Sequence, residues 1–201
     1  MFQESFLMQQ FDNAIPYFKH AILDTLDGID CWVAGGCVRD YFTIGYVKSD
    51  IDVFFTSKEQ YDIADSKLSS NKVLEDTDNA KMYLIDKKKI HLIKKVFYDS
   101  PKTCIDDFDF TVCCAAVNKE NVIHHDTFFI DLASKRLVIQ NLNYPLSTFK
   151  RVQKYVRKGY WICNNSLLQI AKSLAKIDFE NKNENVLEYY PDGSVRFNRI
   201  D

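Results

Sequence analysis

Two aspartates stand one residue apart in Ser49-Asp50-Ile51-Asp52-Val53. In a strand, side chains alternate between faces, so Asp50 and Asp52 project together while Ile51 and Val53 turn the other way. Two carboxylates this close repel each other unless a cation sits between them. Mg2+, or Mn2+, meets that need, since such ions are held by one or two carboxylates and completed by substrate phosphates. Taken alone, the pair also reads as a solvated strand end. Upstream lies Val33-Ala34-Gly35-Gly36-Cys37-Val38-Arg39-Asp40. A strand that breaks at two glycines and enters a helix lets backbone amides approach an anion closely, although a plain tight turn has the same spelling. Arg39 has the planar donor fork that suits phosphate, or it forms a salt bridge with Asp40 or a neighbouring acid. Read jointly, the segments give strand, glycine bend, helix and a second strand bearing paired acids. That order sets phosphate donors beside a metal pair, the equipment of metal-assisted phosphoryl transfer.

The elements that must position these groups follow from pattern. Residues 3–27 read as helical, with Pro16 expected in the first turn of a second helix and Gly28 as the stop. Residues 31–34 and 51–55 read as strands, and 37–45 as a helix ending at Gly45. Ser57, with Gln60 at capping-box spacing, opens a helix over 58–70. Residues 81–86 and 89–96 form two strands around a lysine-rich turn, and Ser100-Pro101 opens a short helix. The apolar run 110–117 is expected as a central strand, with one more strand at 136–140. From Leu146 the spacing turns helical, stopping near Gly159, and a second helix covers 165–177. Tyr190-Pro191-Asp192-Gly193 suggests a terminal hairpin. Mixed strands and helices followed by helices define an α+β class. The expected division is a head over 1–143 and a small helical extension with the terminal hairpin over 144–201.

The chain of 201 residues is 46% hydrophobic, with 15 Phe and 11 Tyr, enough for a full apolar core. No stretch approaches the roughly 18–20 apolar residues that span a bilayer. The start, Met1-Phe2-Gln3-Glu4, lacks the basic-then-apolar layout of a signal peptide. A cytoplasmic protein without membrane contact is expected. Six cysteines form no C-x-x-C pair; those in apolar runs read as reduced core thiols. The net charge of −2 gives no global sign of nucleic-acid binding, so any RNA contact must be local. Lys150, Arg151, Lys154, Arg157 and Lys158 fall on one side of the helix after Leu146, opposite Phe149, Val152 and Val156. With Lys87 to Lys89, Lys94 and Lys95 they form a candidate phosphate surface or an ordinary solvated face.

G-G-x-V-R-D followed by S-D-I-D-V resembles the head domain of class II tRNA nucleotidyltransferases (CCA-adding enzymes) and bacterial poly(A) polymerases, members of the DNA polymerase beta superfamily. Asp109-Phe110-Thr111-Val112 is similar to that family's D-F-T-I segment. Pro145-Leu146, Arg151 and Lys158-Gly159-Tyr160 resemble its P-L-R…L-G-F helix. The resemblance covers about residues 30 to 162. It implies a polymerase-beta-like head, a mixed sheet flanked by helices, with a short helical C-terminal extension. It further implies Asp50 and Asp52 as catalytic Mg2+ (or Mn2+) ligands. Gly35, Gly36, Arg39, Asp40, Asp109 and Arg151 become the nucleotide-binding set, and Lys150, Lys154, Arg157 and Lys158 the candidate RNA contacts. The implied partners are a nucleoside triphosphate and an RNA 3′ end. A hydroxyl of the acceptor would attack the α-phosphate and release pyrophosphate.

The chain also departs from those relatives. Asp107-Phe108 replaces two arginines before D-F-T. His91 stands where many relatives carry a third acid; base, phosphate contact and surface histidine are its readings, the last preferred. Asp109 reads as a substitute third acid or as a structural residue. Residues 162–201 hold no E-D-x-x-R, the element with which CCA-adding relatives read C and A. Three functions remain: nucleotide addition to an RNA 3′ end, transfer to a protein or small molecule, and a non-catalytic nucleotide-binding module.

Overall fold

The computed structural model describes residues 2–177 and the short segments 187–189 and 195–197. Helix α1 (Phe2–Phe18) runs through Pro16 without breaking into two helices. It widens directly into a π-turn, Lys19–Leu23, closed by Asp24 N–H donating to Lys19 O at 3.0 Å. Proline removes one ladder donor and crowds the preceding turn, yet the helix continues through it.

A seven-stranded mixed sheet forms the centre, in the order β3-β4-β5-β2-β1-β6-β7. Its strands are β1 (Cys31–Ala34), β2 (Ile51–Phe55), β3 (Lys72–Asp76), β4 (Ala80–Ile85), β5 (Lys88–Ile93), β6 (Ala115–Val117) and β7 (Val122–His124). Within this sheet only β2 and β5, among the described residues, pair in parallel. The middle strand is therefore β2, not the 110–117 run. In that run Thr111–Cys113 turns as a 3-10 helix and only the last three residues join the sheet, one strand from its edge. Phe110 instead bridges Ile139. Residues 136–140 supply only β8 (Arg136–Leu137), paired in parallel with β9 (Trp161–Ile162) outside the main sheet. Edge strand β3, exposed along its length, carries no alternating pattern that periodicity could detect.

Each face of the sheet has its own cover. Ile51, Val53 and Phe55 face a large core shared with Val33, Ile90 and Leu92. Helices α2 (Gly36–Ile44) and α3 (Lys58–Leu68) add Val38, Phe42, Ala64 and Leu68 to it. The opposite face carries a smaller cluster, with Trp32, Ala34, Phe54 and Ile93 packed against Cys104 and Ile105 of α4 (Pro101–Asp106). Ser57 caps α3 by accepting from Gln60 N–H. Gln60 does not close the box, because its own Oε1 accepts from Asp30 N–H at 2.8 Å. At α4 both halves of the box form, between Ser100 and Thr103.

After α5 (Phe128–Ala133), α6 (Pro145–Arg157) and α7 (Asn164–Leu174) contribute Val152, Tyr155 and Ile170 to the large core. The apolar phase of α6 differs from expectation. Its buried residues are Leu146, Thr148, Val152 and Tyr155, while Phe149 and Val156 are exposed. Thr148 and Tyr155 face inward because their hydroxyls find partners there, which hydropathy does not register. Strands β10 (Leu187–Tyr189) and β11 (Val195–Phe197) pair antiparallel; the expected turn at 190–193 lies outside the described residues. The six cysteines are unpaired and all but Cys163 are buried. Burial pushes the Cys31 and Cys104 thiols up to about 12.

The β4–β5 turn holds Asp86 and Lys87 at φ 46° and 65°, the left-handed pair of a type I′ turn, which suits Asn-Gly. Asp86→Asn with Lys87→Gly should raise stability by about 0.5–1 kcal/mol. Urea unfolding should show a higher midpoint at unchanged slope; a lower midpoint would refute this reading of the turn.

Candidate active site

The acid pair stands where core packing holds it. Ile51 and Val53 are buried beneath β2, so Asp52 must emerge on the opposite face with Phe54. Asp50, just before the strand, turns to the same side. Both carboxylates lie against the His91 ring: Nδ1 is 3.1 Å from Asp52 Oδ1, and Nε2 is 3.8 Å from Asp50 Oδ2. His91 is Asp52's direct partner across the parallel β2–β5 register. Its side chain is 22% exposed, so it is not the surface histidine expected from sequence. The hydrogen bond with Asp52 raises its pKa, against the opposing effect of burial. Lys89 Nζ approaches Asp50 Oδ1 at 3.9 Å.

The glycine bend adjoins this pair. Val33 pairs with Val53 across β1 and β2, so Ala34 and the bend follow beside Asp52. Gly35 has φ 85° and ψ −133°, a conformation open essentially to glycine alone. An added Cβ there would sit 3.4 Å from the Phe108 ring. The Gly35 amide is already donated to Ala115 O at 3.0 Å. The donors remaining for an anion are therefore those of the first turn of α2, Gly36 to Val38.

Arg39 points elsewhere. Its side chain is 6% exposed and bonds Asp40 Oδ1 through Nη2 (2.6 Å) and Nε (3.1 Å), and the Tyr155 hydroxyl through Nη1. The Tyr155 hydroxyl also lies 2.7 Å from Cys113 Sγ. Of its two readings from sequence, the geometry matches the salt bridge with Asp40. The guanidinium ties α2 to α6 behind the bend.

An open cleft begins at Asp52 and runs between the sheet and the start of α6. Asp52, Asp109 and Arg151 all line it. Asp109 is 9% exposed, and its Oδ2 lies 3.3 Å from Arg151 Nε. Burial raises the Asp109 pKa, while Arg151 pulls it back down. Where relatives carry two arginines, Asp107 accepts from Tyr98 Oη (2.8 Å) and Asn143 Nδ2 (2.7 Å), and Phe108 packs between Gly35 and Phe54. Asn143, Tyr144, Tyr98 and Thr148 also line the cleft; in the sequence, Asn143, Tyr144 and Thr148 are marked only by proximity to Pro145, and Tyr98 carries no signal. The basic residues of α6 separate: Arg151 leans over the cleft, Lys158 lies over the Tyr155 ring, and Lys150, Lys154 and Arg157 are exposed.

Among the described residues, no three His, Cys, Asp or Glu side chains are grouped as a ready metal cage. The acid pair still fits a divalent cation completed by phosphate oxygens. Its two carboxylates share one face and stay 39% and 33% exposed, and Asp52 lines the cleft.

The fold resembles the head domain of CCA-adding enzymes. The Thermotoga maritima CCA-adding enzyme complexed with tRNA superposes with a TM-score of 0.60 at 17% identity, over 86% of this chain and 45% of that one. The Bacillus stearothermophilus CCA-adding enzyme in complex with CTP gives 0.56 at 16% identity, over 84% and 45%. At such identity the likeness is one of fold. The chain belongs to the Gabija anti-defense 2 family, whose pattern matches residues 4–135. A curated relative, "Gabija anti-defense 2" of Bacillus phage SPbetaL7, is 26% identical over 161 residues. The match spans 77% of this chain but 40% of that protein. No helix among the described residues is long and apolar enough to cross a membrane.

Replacing Arg39 would strand a largely buried carboxylate and unlink two helices. Arg39→Ala should cost about 3–5 kcal/mol in denaturant unfolding, the scale for breaking a buried pair. Retained stability would contradict the structural role.

Proposed function

We propose that this chain is a metal-dependent nucleotidyltransferase that moves a nucleoside monophosphate from a nucleoside triphosphate to an acceptor hydroxyl, with an RNA 3′ end as the first acceptor. The observation that carries the reading is the shared face of Asp50 and Asp52, beside a glycine bend and at the mouth of a cleft. In this reading residues 1–143 form the catalytic head, and residues 144–201 contribute the wall that bears Arg151.

Asp50 and Asp52 would hold the divalent ion. Once bound, it would neutralise triphosphate charge and favour ionisation of the acceptor hydroxyl. The amides of Gly36 to Val38 would meet phosphate oxygens. Phe54, Phe108 and Tyr144 offer apolar surface for a base, and Arg151 a charge-assisted donor. The acceptor oxygen forms a bond to the α-phosphorus, the bond to the bridging oxygen breaks, and pyrophosphate departs with that electron pair. Positioning and charge complementarity supply the catalysis, without a protein nucleophile. Arg39 and Asp40 would support the bend from behind. The family's description suggests that the transfer acts against a Gabija defense, which gives weight to a protein acceptor as the second reading.

The test combines the protein, Mg2+ or Mn2+, each α-labelled nucleoside triphosphate, and either total RNA or cell lysate. Label is expected on RNA; label on protein or a small metabolite favours the second reading. Asp50→Asn and Asp52→Asn should each lower transfer at least about 100-fold with folding retained. Folded wild-type protein that binds nucleotide yet labels nothing would leave the non-catalytic module standing. For the RNA surface, Lys154→Glu with Arg157→Glu should flatten the dependence of log affinity on log salt by about two contacts. An unchanged slope would remove these residues from the interface.

A further inference from the structure

We propose that single-stranded nucleic acid reaches the acid pair over the β5-β4-β3 side of the sheet, with Lys72, Lys89, Lys48 and Lys87 on its phosphates and Tyr46 stacked on a base. The proposal rests on the reading of Asp50 and Asp52 as the reacting centre, and adds to it the surface that carries the acceptor.

The side of approach follows from strand order. Strand β2 lies between β1 and β5. The glycine bend continues β1, so a triphosphate on the first turn of α2 sits to that side of Asp52. In phosphoryl transfer the attacking and leaving oxygens stand roughly in line. With pyrophosphate leaving toward the bend, the hydroxyl must arrive from the side of β5.

That side is open and basic. Cross-strand partners share a face, and Leu84 is paired with Lys89 on one side and Lys72 on the other. Lys89 also reaches Asp50, at 3.9 Å. The three residues form one row that ends at Asp50, with the two lysine-bearing strands roughly 10 Å apart. The smaller core against α4 holds Trp32, Ala34, Phe54 and Ile93, and this row lies outside it. Lys72 and Lys89 are exposed and Leu84 is half-buried.

Two loops extend the row. Tyr46 and Lys48 come just before Asp50 and are both exposed, with Lys48 Nζ 5.5 Å from the Tyr46 ring centre. The β4–β5 turn presents Lys87 at its exposed tip. Lys88 belongs elsewhere, over the Tyr17 ring at 5.8 Å. The acids facing the patch are Asp50 itself, Asp86 beside Lys87, and Glu75 in the next row. An ion held by Asp50 and Asp52 reverses the contribution of that pair.

The composition selects the partner. Protein interfaces are depleted in lysine and centre on large apolar anchors, whereas the row offers a single half-buried leucine. Cations along a track beside an exposed aromatic ring suit a single strand, which binds through phosphates and stacked bases. Paired bases in a duplex present no open face to such a ring.

The experiment measures fluorescence anisotropy of a labelled, unstructured RNA of about 12 nucleotides, bound by the full chain in Mg2+ across a salt series. Lys72→Gln with Lys89→Gln should flatten the slope of log affinity against log salt by about 1.4. Tyr46→Ala should lower affinity at least about 5-fold at unchanged slope, and Tyr46→Phe should restore it. Circular dichroism checks that each variant is folded. An unchanged slope in the folded lysine variant, or unchanged affinity in folded Tyr46→Ala, overturns the proposal. A wild-type chain that binds no RNA but labels a protein in lysate also overturns it, and leaves the acid-pair reading intact. RNA binding with the expected dependences, but without transfer of labelled nucleotide, upholds the surface and sinks the acid-pair reading.

Discussion

The parallel pairing of β2 with β5 is the constraint on which the site depends. Ile51 and Val53 on one strand, and Ile90 and Leu92 on the other, are almost fully buried in one core. Because side chains alternate, a slip of β2 by one residue would drive Asp52 into that core and turn Ile51, Val53 and Phe55 out of it. Placing Asp52 directly against His91 therefore needs no dedicated contact of its own. Burial sets the register, and the register assembles the polar cluster. The glycine bend depends on the same packing from the other side, through the β1–β2 pairing and the bond from Gly35 to Ala115.

Much of this organisation was legible in the sequence, and the rest was hidden for identifiable reasons. A short apolar run, a β-rich segment and glycine breaks located β1, β2 and α2, and alternation along β2 gave the shared face of Asp50 and Asp52. Capping chemistry located α3 and α4. Cross-strand partners cannot be read this way, since the closeness of His91 to Asp50 and Asp52 arises from a pairing between strands some forty positions apart. Arg39 offered two chemistries in sequence, and only tertiary packing against Tyr155 and Cys113 separates them. Edge strand β3 lacks a buried face and so lacks a periodic signal. On α6, Thr148 and Tyr155 turn inward through their hydroxyls, a preference that hydropathy reverses in favour of Phe149 and Val156.

The cleft differs in character from what the resemblance implied. Two arginines would have made its wall cationic. Asp107 instead organises Tyr98, Asn141 and Asn143 into a polar rim, while Phe108 seals the space between Gly35 and Phe54. The shared fold with CCA-adding enzymes thus extends to the backbone frame, at less than half of their length. Any recognition of a nucleotide by this chain would fall to a different set of side chains.

That composition has an electrostatic consequence for the proposed reaction. Asp52, Asp107 and Asp109 line the cleft, against Lys95 and Arg151. Arg151 is already committed in part to Asp109. A triphosphate entering alone would bring several negative charges toward Asp52 with little local compensation, in a space where partial burial weakens screening. An ion at the acid pair reverses the sign of that encounter. Ion and triphosphate would then bind with positive coupling, and linkage requires the coupling to be equal in both directions. In the proposed reaction, a cleft without a cationic wall would move the burden of nucleotide affinity onto the ion.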